Sequence, residues 1–157
     1  MRKRLIRQKP QDSSSPNDDW LDLESAAVVE VTSEEKGCPI ESALVSDETQ
    51  GWRAADSGAQ TIRLVFDAPQ RIRRIWLVFE ETEAERTPEF VLRWISDGGH
   101  SFREIVRQQW NFSPPQTIRE VEEYQVELSD VTVLELIIVP HNNGGTARAS
   151  LKSLRLS

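Results

Sequence analysis

From Ala26 onward the apolar residues fall in short runs with a period near two, cut by Gly, Pro, Asn and Asp, and helical periodicity is nearly absent. That alternation marks short, half-buried strands. In residues 61–66, Ile62, Leu64 and Phe66 share one face while Arg63 points to the other, as in an antiparallel strand with one solvated side. Ala68-Pro69-Gln70 predicts a turn. Residues 71–79 place Ile75, Leu77 and Phe79 on one face but Ile72 on the opposite parity, and a bulge near Arg73-Arg74 reconciles them. Residues 90–95 and 102–106 flank Ser96-Asp97-Gly98-Gly99-His100, the strongest hairpin signal in the chain. Residues 133–139 are almost continuously apolar and predict a central strand covered on both faces, and residues 149–156 close the domain. Residues 118–128 fit a helix through Ile118, Val121, Tyr124 and Leu128 about as well as a strand through Tyr124, Val126 and Leu128; the strand is adopted. About eight strands without long helices predict an all-β fold, an antiparallel jelly-roll β-sandwich.

The N-terminal residues look different. Residues 11–19 are rich in turn formers and hold no apolar side chain, so they read as linker. The expected division is a flexible charged tail over 1–24 and one folded domain over 25–157. The tail has five basic residues (Arg2, Lys3, Arg4, Arg7, Lys9) followed by five acidic ones (Asp12, Asp18, Asp19, Asp22, Glu24). Such blocks serve as solvated tails or as docking arms for an acidic partner. Its basic start is not followed by the run of about 7 to 15 apolar residues that an export signal needs, and no stretch approaches the ~18 of a membrane span. The expectation is a cytoplasmic protein that does not bind membranes. A formal net charge of −7 argues against nucleic acid as a partner, because that affinity is mostly Lys and Arg neutralising phosphates. The single cysteine, Cys38, cannot form an internal disulfide.

If successive strands run up and down, counting direction sorts the connections into two ends. Turns at Ala68-Pro69, Asp97-Gly98-Gly99 and Ser129-Asp130 fall at one end with the termini. Residues 33–40, 46–58, 80–87, 110–116 and 140–146 fall at the other. This second end has the longer loops, where binding groups concentrate, and it collects Trp52, Arg53, Asp56, Arg86, Trp110, Asn111, Phe112, His141, Asn142, Asn143 and Arg148. Sugar recognition calls for an aromatic face against the C–H side of a ring and planar donors and acceptors for its hydroxyls. His141 and Asn142, in the flexible His141-Asn142-Asn143-Gly144-Gly145 turn, are candidate contacts with Arg53. Trp110 and Phe112, held before Pro114-Pro115, are candidate stacking groups. Arg86 and Arg148 either contact the ligand or pair with the many carboxylates. Trp52, just before a strand, reads as buried.

Catalytic chemistry finds little support. His100 and His141 fall at opposite ends, Cys38 has no His near it in sequence, and two histidines with one cysteine make a zinc site a poor fit. Glu80, Glu81, Glu83 and Glu85 offer oxygens of the kind calcium takes, but their spacing lacks a calcium-loop pattern, and a solvated face is the plainer reading. A structural calcium held by carbonyls of residues 42–47 is the one cofactor left open.

Val29-Glu30-Val31-Thr32-Ser33-Glu34, Pro39-Ile40-Glu41-Ser42-Ala43-Leu44, Gly51-Trp52-Arg53, residues 60–66 and 90–101, and Ala147-Arg148-Ala149-Ser150-Leu151 together resemble a discoidin domain. This is the coagulation-factor (F5/8) C-type domain, of the galactose-binding-like fold, and the likeness runs from Ala26 to the C-terminus. The resemblance implies an eight-stranded jelly roll with a ligand site among loops at one end. Members bind galactose-type sugars, glycans, phospholipid head groups or protein partners, and many carry a structural calcium. This chain lacks the bridging cysteines of secreted members and the apolar loop tips of lipid-binding ones. The leading expectation is a non-catalytic carbohydrate-binding module in which His141, Asn142 and Arg53 hydrogen-bond a sugar and Trp110 or Phe112 stacks on it. The alternative is an intracellular protein-interaction module of the same fold, using the loop end or the basic tail.

Overall fold

Two strands of 21 residues each, β3 (Gln60–Glu80) and β6 (Arg119–Val139), pair antiparallel from Gln60 opposite Ile138 to Glu80 opposite Arg119. A straight strand of that length would span roughly 70 Å, so the ribbon bends. Its register shifts three times between Val65 and Arg74, and Asp130 adopts a left-handed conformation with φ of 56°. The computed structural model, which describes residues 20–45, 51–81 and 84–157, shows the ribbon folded back on itself. Phe79, near the end of β3, stacks on Phe90 of the opposite layer with ring centroids 5.4 Å apart.

One layer has the order β1-β3-β6-β4-β5, with β1 at Ala27–Val31, β4 at Glu89–Ser96 and β5 at Arg103–Gln109. The other is made by the distal limb of β3, flanked by the first limb of β6 and by β8 (Ser153–Leu156). A two-stranded ribbon joins β2 (Trp52–Ser57) to β7 (Arg148–Leu151). Single-turn helices α1 (Leu23–Ala26) and α2 (Glu41–Leu44) complete the fold. The architecture is the expected antiparallel β-sandwich.

Strand parity explains the core. Ile62, Leu64 and Phe66 point inward with Ile75, Leu77 and Phe79, and β6 contributes Leu134, Leu136 and Ile138. The expected bulge is present as a register shift between Ile72 and Arg74, which lets both Ile72 and Ile75 be buried. The β4–β5 hairpin turns at Asp97-Gly98, and residues 119–128 are strand, not helix.

Three expectations are corrected. Ala68-Pro69 and Ser129-Asp130 are bends within β3 and β6 rather than chain reversals, because the paired ladder continues on both sides of them. Residues 52–57, read as loop, form β2. Residues 20–24, read as tail, pack on the domain: Leu23 is 1% exposed, the Leu21 amide donates to the Leu156 carbonyl at 2.7 Å, and Trp20 stacks on Trp76. The remainder of that tail, the linker and residues 46–50 lie outside the described residues.

The outward face of the five-stranded layer also differs from expectation. Among the described residues no second layer covers it; a row of alternating charge, Glu30, Arg63, Glu135, Arg93 and Glu104, runs across the five strands in register. Arg63 reaches Glu30 at 2.9 Å and Glu135 at 2.7 Å, and Arg93 donates to the other Glu135 oxygen. Glu135, only 1% exposed, is thus buried beneath two guanidinium groups rather than beneath protein backbone.

On the first limb of β6, Glu120, Glu122 and Tyr124 stand opposite Phe79, Leu77 and Ile75 and so face the interior side of an edge strand. The Tyr124 hydroxyl donates to Glu122 Oε1 at 2.6 Å. A hydrogen bond to Glu122, then burial, then the Glu122 charge hold the Glu120 carboxyl up, at about 7 against an ordinary 4.5. Between those values the folded state binds more protons than the unfolded chain, so stability falls as pH rises through that window. Glu120→Gln should flatten this slope, with a higher melting temperature than the parent at pH 8 and little difference near pH 4; parallel curves for both proteins would contradict it.

At the bend, a left-handed backbone suits Asp far better than a β-branched residue. Asp130→Val should lose about 1–2 kcal/mol in urea unfolding, and Asp130→Gly should hold its stability.

Candidate functional site

Folding the β3–β6 ribbon in half brings both of its open ends to the same end of the sandwich, and the connecting segments meet there. The Glu35 amide donates to the Arg53 carbonyl at 2.8 Å, and the Gly58 amide to the Ala147 carbonyl at 3.3 Å. Arg86 and Phe112 exchange backbone hydrogen bonds at 3.2 and 2.8 Å, the Trp110 amide donates to the Pro88 carbonyl, and the Asn142 amide donates to the Thr87 carbonyl. Five distant stretches of chain are therefore joined, as the direction count predicts.

The seven candidate residues separate into two groups. Arg86 and Phe112 lie below the surface, which corrects their assignment as ligand contacts, and Trp110 is half-buried. Arg86 is 7% exposed; its Nη1 donates to the carbonyls of Pro140 at 3.2 Å and Arg148 at 3.0 Å, and its Nε stands 2.7 Å from Glu81 Oε1. Burial lowers the Arg86 guanidinium from the usual arginine range and the charge of Arg53 adds to this, while Glu81 opposes it. Phe112 is fully buried, and half-buried Trp110 packs its ring against Phe79, Phe90 and Phe112 at 4.7 to 5.8 Å. Trp52 is buried as expected, its Nε1 donating to the Ser33 carbonyl.

Arg53, Arg148 and Asn142 are exposed, and His141 is half-buried. Arg53 stands opposite Ser150 in the β2–β7 ribbon, and Arg148, two residues from Ser150, projects from the same face. Diagonal neighbours of this kind are close enough for long side chains to meet. Both guanidiniums converge on one atom, Glu35 Oε1: Arg148 Nη1 donates at 2.9 Å and Arg53 Nε stands at 3.4 Å. His141 Nδ1 accepts the Thr87 amide at 3.2 Å, which leaves a neutral His141 with its proton on Nε2 as a donor. Thr87 Oγ1 donates to Asn111 Oδ1 at 2.6 Å, fixing an exposed amide beside the imidazole segment.

Glu35 and Thr87 were not singled out by sequence reading. Glu35 is 113 residues from Arg148 along the chain, and no linear pattern couples them. Calcium finds no side-chain donor set: among the described residues no three His, Cys, Asp or Glu groups come together. Glu80 pairs with Arg119, Glu81 pairs with Arg86, and Glu85 accepts from Ser113, while Glu83 lies outside the described residues. The carbonyls of residues 42–47 fall partly outside them as well.

Neither a protein-family model nor a curated protein sequence matches the chain. Solved structures do. A pectin-binding carbohydrate-binding module superimposes with a TM-score of 0.61 at 18% identity, covering 84% of this chain and 90% of that one. The family 32 module of C. perfringens NanJ, in complex with galactose, gives 0.60 at 14% identity over 87% and 96% of the two chains. The family 32 module of AlyQ, in complex with 4,5-unsaturated mannuronic acid, gives 0.59 at 14% identity over 84% and 95%. The chain thus has the galactose-binding-like sandwich fold that these modules share.

Removing a buried cation strands its partner carboxylate and the carbonyls it served. Arg86→Ala should cost about 3 kcal/mol or more in urea unfolding and accelerate hydrogen exchange at the Asn142 amide; exchange unchanged there would show that Arg86 does not hold the 140s segment.

Proposed function

We propose that this chain is a non-catalytic carbohydrate-binding module of the discoidin type, holding part of a sugar at the long-loop end. The single observation that carries the reading is convergence. Arg53, Arg148, His141, Asn142 and Asn111 come from four separate segments and present donors and acceptors at one end of a rigid sandwich. Planar amide, imidazole and guanidinium groups are the chemistry that reads vicinal hydroxyls. Supporting it, solved structures of the same fold are described as modules for pectin, galactose, unsaturated mannuronic acid and chitosan.

The site is pre-formed by hydrogen bonds among its own loops, so little ordering is required on binding. His141 is oriented by the Thr87 amide and Asn111 by the Thr87 hydroxyl. Titrating the labelled protein with a panel of neutral and acidic oligosaccharides should move the amide signals of Thr87, Asn111, His141 and Asn142. Asn142→Ala should weaken the binding member of the panel about tenfold. Silence across the panel, or shifts confined to the Asp97 turn, would overturn the reading.

A further inference from the structure

We infer that the sugar recognised at this end carries a carboxylate, as in a uronic acid; the inference rests on the proposed sugar-binding role and names its substrate class. Its basis is the way Arg53 and Arg148 are neutralised. Elsewhere two arginines also share one carboxylate, but each then has an oxygen of its own. At Glu135, Arg93 takes Oε1 and Arg63 takes Oε2, and at Glu127, Arg71 takes Oε1 and Arg73 faces Oε2. At Glu35 both guanidiniums meet the same Oε1.

Neither arginine is therefore matched by a two-pronged carboxylate, the geometry in which a guanidinium binds an oxyanion best. Arg53, Glu35 and Arg148 are 44%, 36% and 42% exposed in their side chains. Ion pairs so open to water are weak, so a second carboxylate can join or displace Glu35 at small cost. The triad bears two positive charges against one negative, and a ligand carboxylate completes the balance.

Neutral sugars are commonly gripped by an aromatic ring against their C–H face. Among the described residues none of the aromatics at this end is exposed: Trp52 and Phe112 are buried and Trp110 is half-buried within the aromatic cluster. Charge, with hydroxyl contacts from His141 and Asn142, is the available means of recognition.

The test is calorimetric titration with trigalacturonate and trimannuronate, each beside its methyl ester, in which a methyl group replaces the carboxylate charge. At least one free acid should bind about tenfold more tightly than its ester. That preference should shrink as sodium chloride is raised, because exposed charges are screened. Arg53→Gln and Arg148→Gln should each erase most of the acid-to-ester ratio, Arg148→Lys should retain part of it, and Glu35→Gln should raise it by removing the competing carboxylate. A ratio is insensitive to a general loss of folded protein, so it separates recognition from stability. Esters binding as well as acids, or neutral sugars of the panel binding while both acids fail, would overturn the inference and leave the sugar-binding role standing. Silence from every sugar would overturn both.

Discussion

Pairing of β3 with β6 on both sides of a shared bend is the constraint on which the rest of this molecule depends. Backbone donors and acceptors in a buried strand must be paired, and the ladder meets that demand on both limbs, from Gln60 to Glu80 on one strand and from Arg119 to Ile138 on the other, with register shifts at the bend. Bending the ribbon near its middle, rather than cutting it, keeps the ladder on both limbs while laying the apolar face of one against the other. Phe79 on Phe90 is the contact that records this closure. Once the ribbon closes, its two open ends are at one end of the sandwich, and every connection leaving them must meet there. The gathering of the long loops at one end is thus a consequence of how a long hairpin doubles over.

Much of this was legible in the sequence because period-two patterning survives any choice of topology. Ile62, Leu64 and Phe66 mark an inward face whichever strand pairs with theirs, and the parity clash between Ile72 and Ile75 requires a register shift wherever the strand sits. Convergence of the five loop segments was legible for a related reason: counting direction needs only alternation. A bend and a turn both reverse direction, so the count survives mistaking one for the other. What the pattern cannot tell apart is a chain reversal and a folded ladder, since Pro69 and Asp130 suit either.

The site itself was less legible. Whether an aromatic at a loop is a platform or a plug depends on the layer beneath it: Phe79 and Phe90 draw Trp110 half into the core, and Phe112 is buried against Trp110. Arg86 was a candidate contact because an arginine in a loop is usually wet. Its partners, the carbonyls of Pro140 and Arg148, lie 54 and 62 residues away and carry no sequence signal. The buried guanidinium and the exposed ones have different tasks: Arg86 ties the strand bearing Arg148 to the segment bearing His141, and the surface groups are positioned as a result. Rigid support of this kind determines how sharply a small set of donors can discriminate between ligands.

Net charge and local charge act at different ranges. With 26 acidic residues against 19 basic ones, the chain as a whole repels long polyanions, and that repulsion extends about a Debye length, roughly 8 Å at physiological salt. Two guanidiniums at the loop end act inside that distance, where direct hydrogen bonds outweigh the distant field. A nucleic acid must bring many phosphates near an acidic surface to gain a few contacts, whereas a short ligand with one well-placed oxyanion meets mainly the arginines. On the proposed reading, the acidic balance that argues against nucleic acid leaves the triad of Arg53, Glu35 and Arg148 to anions small enough to fit between the loops.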